Sequence, residues 1–173
     1  NARMYHDHGH KNIPNLPRGL DRAGLTGFNY RMTEISGAFG KVQLQKFPRI
    51  LRESQKRYRT LERYIRHNEI KFRDINSGNE PNYDTFVISI ENKKIRDRVI
   101  GVLNKTGFGT KNLPDAFNWH CAYFWEHIDK KIRNKEVTNC YNRLLKCIAI
   151  PILVSRPIID YKNIASYINE CSE

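Results

Sequence analysis

Five residues that interrupt helices, Pro14, Pro17, Gly19, Gly24 and Gly27, fall between positions 11 and 31. No long helix survives that density, because proline lacks an N–H donor and glycine gives up extra backbone entropy. A loop of this length in a compact protein serves a function or a subunit contact. The pattern then turns helical. Thr33 and Glu34 open a run in which Ile35, Ala38, Phe39, Val42 and Gln43 recur at helical spacing. Pro48 breaks that run and reads as an early residue of a second helix. The second helix is expected to reach about Arg66, with Leu51, Tyr58, Leu61, Tyr64 and Ile65 on its apolar side.

From Glu69 the period falls to two. Residues 70–73 and 86–90 alternate and predict strands. The stretch Asn76, Ser77, Gly78, Asn79, Pro81, Asn82 between them predicts a loop. Asn92 is placed to cap a helix with Ile95, Val99, Val102 and Leu103 on one face, stopped by Gly107. Residues 108–119 read as extended or looping. Cys121, Phe124, Trp125 and Ile128 suit a short helix, and Val137, Tyr141, Leu144 and Leu145 another. Ile148 to Leu153 is a short apolar strand interrupted by Pro151. Asp160 is expected to cap a last helix with Tyr161, Ile164, Ile168 and Cys171 inward. This succession predicts a small α+β or α/β layer domain.

Composition excludes several classes. Of the 173 residues, 39% are hydrophobic and no run approaches the length of a membrane span. Asn1 to His10 is polar and lacks the apolar segment of a signal peptide, so a cytoplasmic location is expected. Cys121, Cys140, Cys147 and Cys171 show no C-x-x-C spacing, which argues for buried, reduced thiols rather than a disulfide scaffold or zinc ribbon. The opening Asn1-Ala-Arg-Met-Tyr reads as the middle of a helix without a start signal, as in the later part of a longer chain.

Four constellations could carry chemistry. His6, His8 and His10 alternate, but no fourth ligand follows at a recognisable spacing. A loop leaving a helix that Gly9 ends is the plainer reading, and no metal site is expected. The 30 Lys plus Arg against 18 Asp plus Glu give a formal net charge of +12. Between Lys41 and Arg73 stand 11 basic residues and three Glu. They fall on the polar side of an amphipathic pattern, with Tyr58 and Tyr64 on the apolar side, which argues for a solvated face rather than nucleic-acid binding. No G-x-S-x-G elbow, G-x-G-x-x-G or phosphate loop is present, and the adjacent His120 and Cys121 are poorly placed to face one another. Last, the segment from Gly27 to Leu44 joins a loop to a helix N-terminus, which suits an anion.

That last segment resembles the DegT/StrS family of pyridoxal-phosphate-dependent sugar aminotransferases. The resemblance rests on Gly27, Asn29, Tyr30, Arg31, Met32, Glu34 and Ile35, followed by Ala38, Gly40, Gln43 and Leu44. Arg3 through His8 and Gly9 is similar to the family's Arg-x-x-x-x-His-Gly stretch. Gly107 to His120 resembles a narrower branch, the transaminases that make an 8-amino octulosonate sugar acid for lipopolysaccharide. Phe47-Pro48 departs locally from the family's Leu-Asp type of junction.

The resemblance implies an α/β fold, the C-terminal part of a fold-type-I PLP-dependent transferase. Residues 1–47 would be the end of the large cofactor domain, 48–68 a connecting helix and 69–173 a small α+β domain. It implies amino transfer from an amino acid, glutamate, to a keto or aldehyde sugar of the Kdo type, with pyridoxal phosphate as cofactor. The partner would be a second copy in a homodimer with shared active sites. Asn29 would reach the cofactor phosphate of the neighbouring subunit; a turn Asn bonding its own backbone is the alternative. Lys111, Asn112, Trp119 and His120 would border the sugar, against the alternative that Trp119 is buried and His120 is a core histidine. The Schiff-base lysine lies upstream in the family, so this chain alone is expected to be inactive. A dehydratase on the same scaffold and a basic nucleic-acid-binding module are the other function classes left open.

Overall fold

The computed structural model describes residues 1–22, 24–76, 78–128 and 135–171. Ser77 of the expected 76–82 loop lies outside them. The chain divides into two compact units, Asn1–Phe47 and Pro48–Glu173.

The first unit starts with a short helix, α1 (Ala2–Tyr5), capped at His6. The helix therefore ends before Gly9, which sits further on at φ 87°. Residues 5–8 then run antiparallel to 27–30. Phe28 N donates to Tyr5 O at 2.8 Å, His8 N to Phe28 O at 3.0 Å and Tyr30 N to His6 O at 2.9 Å. The rings of Phe28 and Tyr30 stack beside this pairing, and Tyr5 meets Phe28 edge-on.

One helix, α2 (Glu34–Tyr64), takes the place of the two expected, and Pro48 lies inside it. Proline's φ is already helical, so it costs this long helix one hydrogen bond and a local clash rather than its continuity. Thr33 opens α2, its Oγ1 accepting from Ser36 N at 3.1 Å. The expected apolar face of the first half is uncovered: Ile35 is 83% exposed, Phe39 68% and Val42 45%. In the second half Tyr58 and Leu61 are buried, and so is Ile65 just past the helix end. Tyr64 is half-exposed, with Arg63 and Lys162 over its ring, and does not share the apolar side as expected.

The second unit is built on an antiparallel sheet in the order β1-β2-β3: β1 (Ile70–Phe72), β2 (Thr85–Ile90) and β3 (Cys147–Pro151). Period-two alternation turns Phe86, Ile88, Ile90, Ile148 and Ile150 to one face. The buried residues of α2's second half, of α3 (Lys93–Lys105) and of α6 (Ile158–Asn169) join these in one core. Asn92 caps α3 as expected, its Oδ1 accepting from Lys94 N at 3.0 Å. Gly107, at φ 70°, takes the left-handed turn after it. The cap of α6 is Pro157 rather than Asp160, which lies in the first turn where a carboxylate favours the helix dipole.

Arg57 ties this core together although it is a buried cation. Its Nε donates to Arg156 O at 2.9 Å and its Nη2 to Val154 O at 2.9 Å. Nη1 donates to Glu53 O at 2.8 Å and to Glu53 Oε2 at 2.9 Å. One guanidinium thus fixes α2 to the turn between β3 and α6. Tyr161, fully buried, braces the same turn by accepting from Leu153 N at 2.7 Å.

Between α3 and β3 the chain forms α4 (Phe117–His120), a 3₁₀ turn at Ala122–Phe124 and α5 (Lys135–Leu144). The helix expected around Cys121 to Ile128 is displaced toward the N-terminus, and Cys121 joins the two turns. Phe117, Tyr123, Phe124 and Tyr141 form a separate aromatic cluster, with Tyr123 and Tyr141 stacked at 4.5 Å. All four cysteines are free. Cys140 is exposed, against the expectation that every thiol is buried. Among the described residues no helix is long and apolar enough to cross a membrane.

Candidate functional site

Asn29 belongs to the first unit and the other candidates to the second. The backbone pairing of 5–8 with 27–30 sets Asn29 opposite Asp7, so the two sequence motifs meet in space. Arg31 Nε lies 3.2 Å from Asn29 Oδ1 and 3.2 Å from the buried Asp7 Oδ1. Arginine has only donors, so it takes the amide oxygen and leaves the N–H₂ group of Asn29 uncommitted among the described residues. Asn29 is exposed. The side-chain bond to Arg31 is not the self-bonding turn weighed from sequence.

Gly27 makes this meeting possible. A Cβ there would stand 2.4 Å from Gly9 N, 2.8 Å from Tyr5 O and 2.9 Å from Met4 O, all backbone atoms. His6, His8 and His10 are not gathered: among the described residues no group of three His, Cys, Asp or Glu could hold a metal ion.

In the second unit, residues 111–113 lie along the outer edge of β3. Lys111 N donates to Ala149 O at 2.8 Å, and Ala149 N to Leu113 O at 3.0 Å. Lys111 Nζ pairs with Asp84 Oδ2 at 2.8 Å, both side chains being about half-exposed at 42% and 50%. Lys111 holds the Asp84 carboxyl below the ordinary carboxylate range. Asn112 adopts φ 68°, and its carbonyl accepts from Ala116 N at 3.0 Å, which starts the turn into α4.

Trp119 is 80% exposed and His120 is exposed, which removes the reading of both as core residues. Trp119 lines a cavity of about 490 Å³ together with Pro114, Phe117 and Leu145. Lys111, Asn112 and His120 are outside that lining. Trp125, which the sequence marked only as helical, donates from Nε1 to Trp119 O at 2.8 Å and stacks on His127. Its indole N–H, a donor with no acceptor of its own, is the one feature by which the sequence could have marked it. Cys147 offers no ready nucleophile, since burial pushes its thiol up.

The profile of the DegT/DnrJ/EryC1/StrS aminotransferase family matches residues 1–165. Similar solved structures include the sugar aminotransferase CalS13 from Micromonospora echinospora, at TM-score 0.73 and 14% identity, covering 97% of this chain and 43% of that one. The aminotransferase TlmJ from Streptoalloteichus hindustanus superposes at TM-score 0.71 and 13% identity, covering 98% and 43%. PseC of Helicobacter pylori, an aminotransferase involved in the biosynthesis of pseudoaminic acid, does so at TM-score 0.65 and 17% identity, covering 98% and 44%. At these identities the likeness is one of fold, and the chain spans less than half the length of each of the three.

Proposed function

Because the chain belongs to the DegT/DnrJ/EryC1/StrS aminotransferase family, we propose that the whole protein moves an amino group from glutamate to a keto or aldehyde sugar. We take the acceptor to be a Kdo-type sugar acid used in lipopolysaccharide. On this reading residues 1–47 end the cofactor domain, 48–68 connect and 69–173 form the small domain. The lysine that anchors the cofactor is read as lying outside residues 1–173, which leaves this chain inactive alone. The active protein is read as a homodimer with shared sites.

The observation that carries the reading is the seating of Asn29. Its oxygen is occupied by Arg31, so it presents a neutral pair of donors, and such an edge fits a phosphate oxygen without adding charge. Pyridoxal phosphate, when bound, supplies the electron sink for amino transfer. Asn29 would hold its phosphate, while Arg31 and Asp7 hold Asn29 in place.

On the sugar side, the pair of Lys111 with Asp84 is exposed and therefore weak, so Lys111 can turn to a substrate carboxylate. Asn112 and His120 would bond hydroxyls, and Trp119 would offer its open ring face to the sugar. The bond from Trp125 fixes the backbone that carries that face.

The test uses the complete protein. Glutamate alone should change the absorbance of the bound cofactor, and a keto sugar acid should reverse it; no response to glutamate would sink the reading. Lys111→Ala and His120→Ala should slow the sugar half-reaction by about tenfold or more, ~1.4 kcal/mol, and leave the glutamate half unchanged. Equal losses in both halves would remove the sugar assignment.

A further inference from the structure

A cavity of about 1150 Å³ opens on the sheet face turned away from the core, between the strands and α5. Register places Lys71 opposite Ser89, and Ser89 opposite Cys147. Arg73 follows, its N–H donating to Val87 O at 3.2 Å. Arg143 and Lys146 line the cavity from α5 and the turn after it. Four cations therefore face one space with two carboxylates, Asp74 and Glu91.

Glu91 is already committed. Lys146 Nζ pairs with it at 2.5 Å, and Lys146 first, with Lys71 adding to it, holds its carboxyl below the ordinary range. Among the described residues, no acid pairs with Arg73 or Arg143. Four cations against two carboxylates leave the cavity lining with a positive excess, which raises the local potential. An anion relieves this, and planar five-donor forks suit the several oxygens of a phosphate. Ser89 and Asn142 add hydroxyl and amide groups beside them. The volume suits a drug-sized or larger ligand rather than a lone ion.

We propose that this cavity binds a phosphorylated, hydroxyl-bearing small molecule, with its phosphate held by Arg73 and Arg143. None of Lys111, Asn112, Trp119 and His120 lines this cavity, and the proposal stands whether or not the protein is an aminotransferase.

The test is calorimetric titration of the complete protein with pyrophosphate and, separately, with succinate. Pyrophosphate should bind, and Arg73→Gln with Arg143→Gln should weaken it at least tenfold while the melting midpoint stays unchanged. Glu91→Gln should move affinity the other way, since it removes the opposing carboxylate. Absence of pyrophosphate binding, unchanged affinity in the double variant, or succinate binding as tight as pyrophosphate would each overturn the proposal. Saturation by duplex DNA without pyrophosphate binding would assign the patch to nucleic acid and overturn it as well.

Discussion

Gly27 and Gly9 touch backbone to backbone, so closely that a Cβ on Gly27 would stand 2.4 Å from the Gly9 nitrogen. The contact has no flexible side chain that could yield, because Tyr5 O and Met4 O close the other sides at 2.8 and 2.9 Å. Gly27→Ala must therefore push residues 27–30 away from 5–8 and carry Asn29 with them. We expect Gly27→Ala in the complete protein to lower stability and loosen the cofactor together. Gly101→Ala in the interior of α3, where nothing lies within 4 Å, should instead stabilise by about 0.5–1 kcal/mol. Denaturant melts of both variants check this, and a neutral Gly27→Ala would refute the close packing.

Asn29→Ala deletes the donor edge but leaves the backbone pairing intact. It should weaken retention of pyridoxal phosphate in the complete protein, by about tenfold for one lost hydrogen bond to a charged group. The melting midpoint without cofactor should not move. Equilibrium dialysis measures the first and circular dichroism the second; unchanged retention would remove Asn29 from the cofactor site.

Arg57→Met tests the buried guanidinium. It strands the carbonyls of Val154 and Arg156 without donors and should cost about 3 kcal/mol. Arg57→Lys keeps the charge but cannot reach both carbonyls and Glu53 at once, so it should recover less than half of the loss. Urea midpoints at unchanged m-value would show it.

The Lys111–Asp84 pair sets a pH dependence. Lys111 depresses the Asp84 carboxyl, so its contribution to stability is complete above the ordinary value of 3.8 and is lost as pH falls through the lower folded value. Both groups are half-exposed, so the effect is small and screened by salt. Asp84→Asn should remove this slope below pH 4 and tighten binding of an acidic sugar, because Lys111 is then unopposed. Acid melts and the KM for the sugar acid report the two effects.

Local chemistry was readable where neighbours in sequence decide it. The alternation of β2, the Asn92 cap and the apolar spacing of Ile95, Val99 and Leu103 are all short-range signals, and the structure keeps them. Pro48 misled because a single lost hydrogen bond is small against a helix of 31 residues. The spacing of Ile35 and Phe39 marks an apolar face but not what covers it. Arg57 was counted among a solvated charge run, since its partners at Val154 and Arg156 lie nearly a hundred positions away in the chain. The motif residues Asn29 and Arg31 were legible as types; their seating on Asp7 depends on a pairing that only Gly27 permits.

The lodging of residues 111–113 along β3 bears on how this unit meets other proteins. Both polar backbone groups of Ala149 are satisfied from within the chain, so the middle of that margin is closed to strand addition. The opposite margin is β1, three residues long, with Lys71 within it and Arg73 just beyond. Short, cationic margins resist the templated growth that leads to fibrils. Association of this unit is thereby left to its side-chain surfaces, where it can be both specific and reversible.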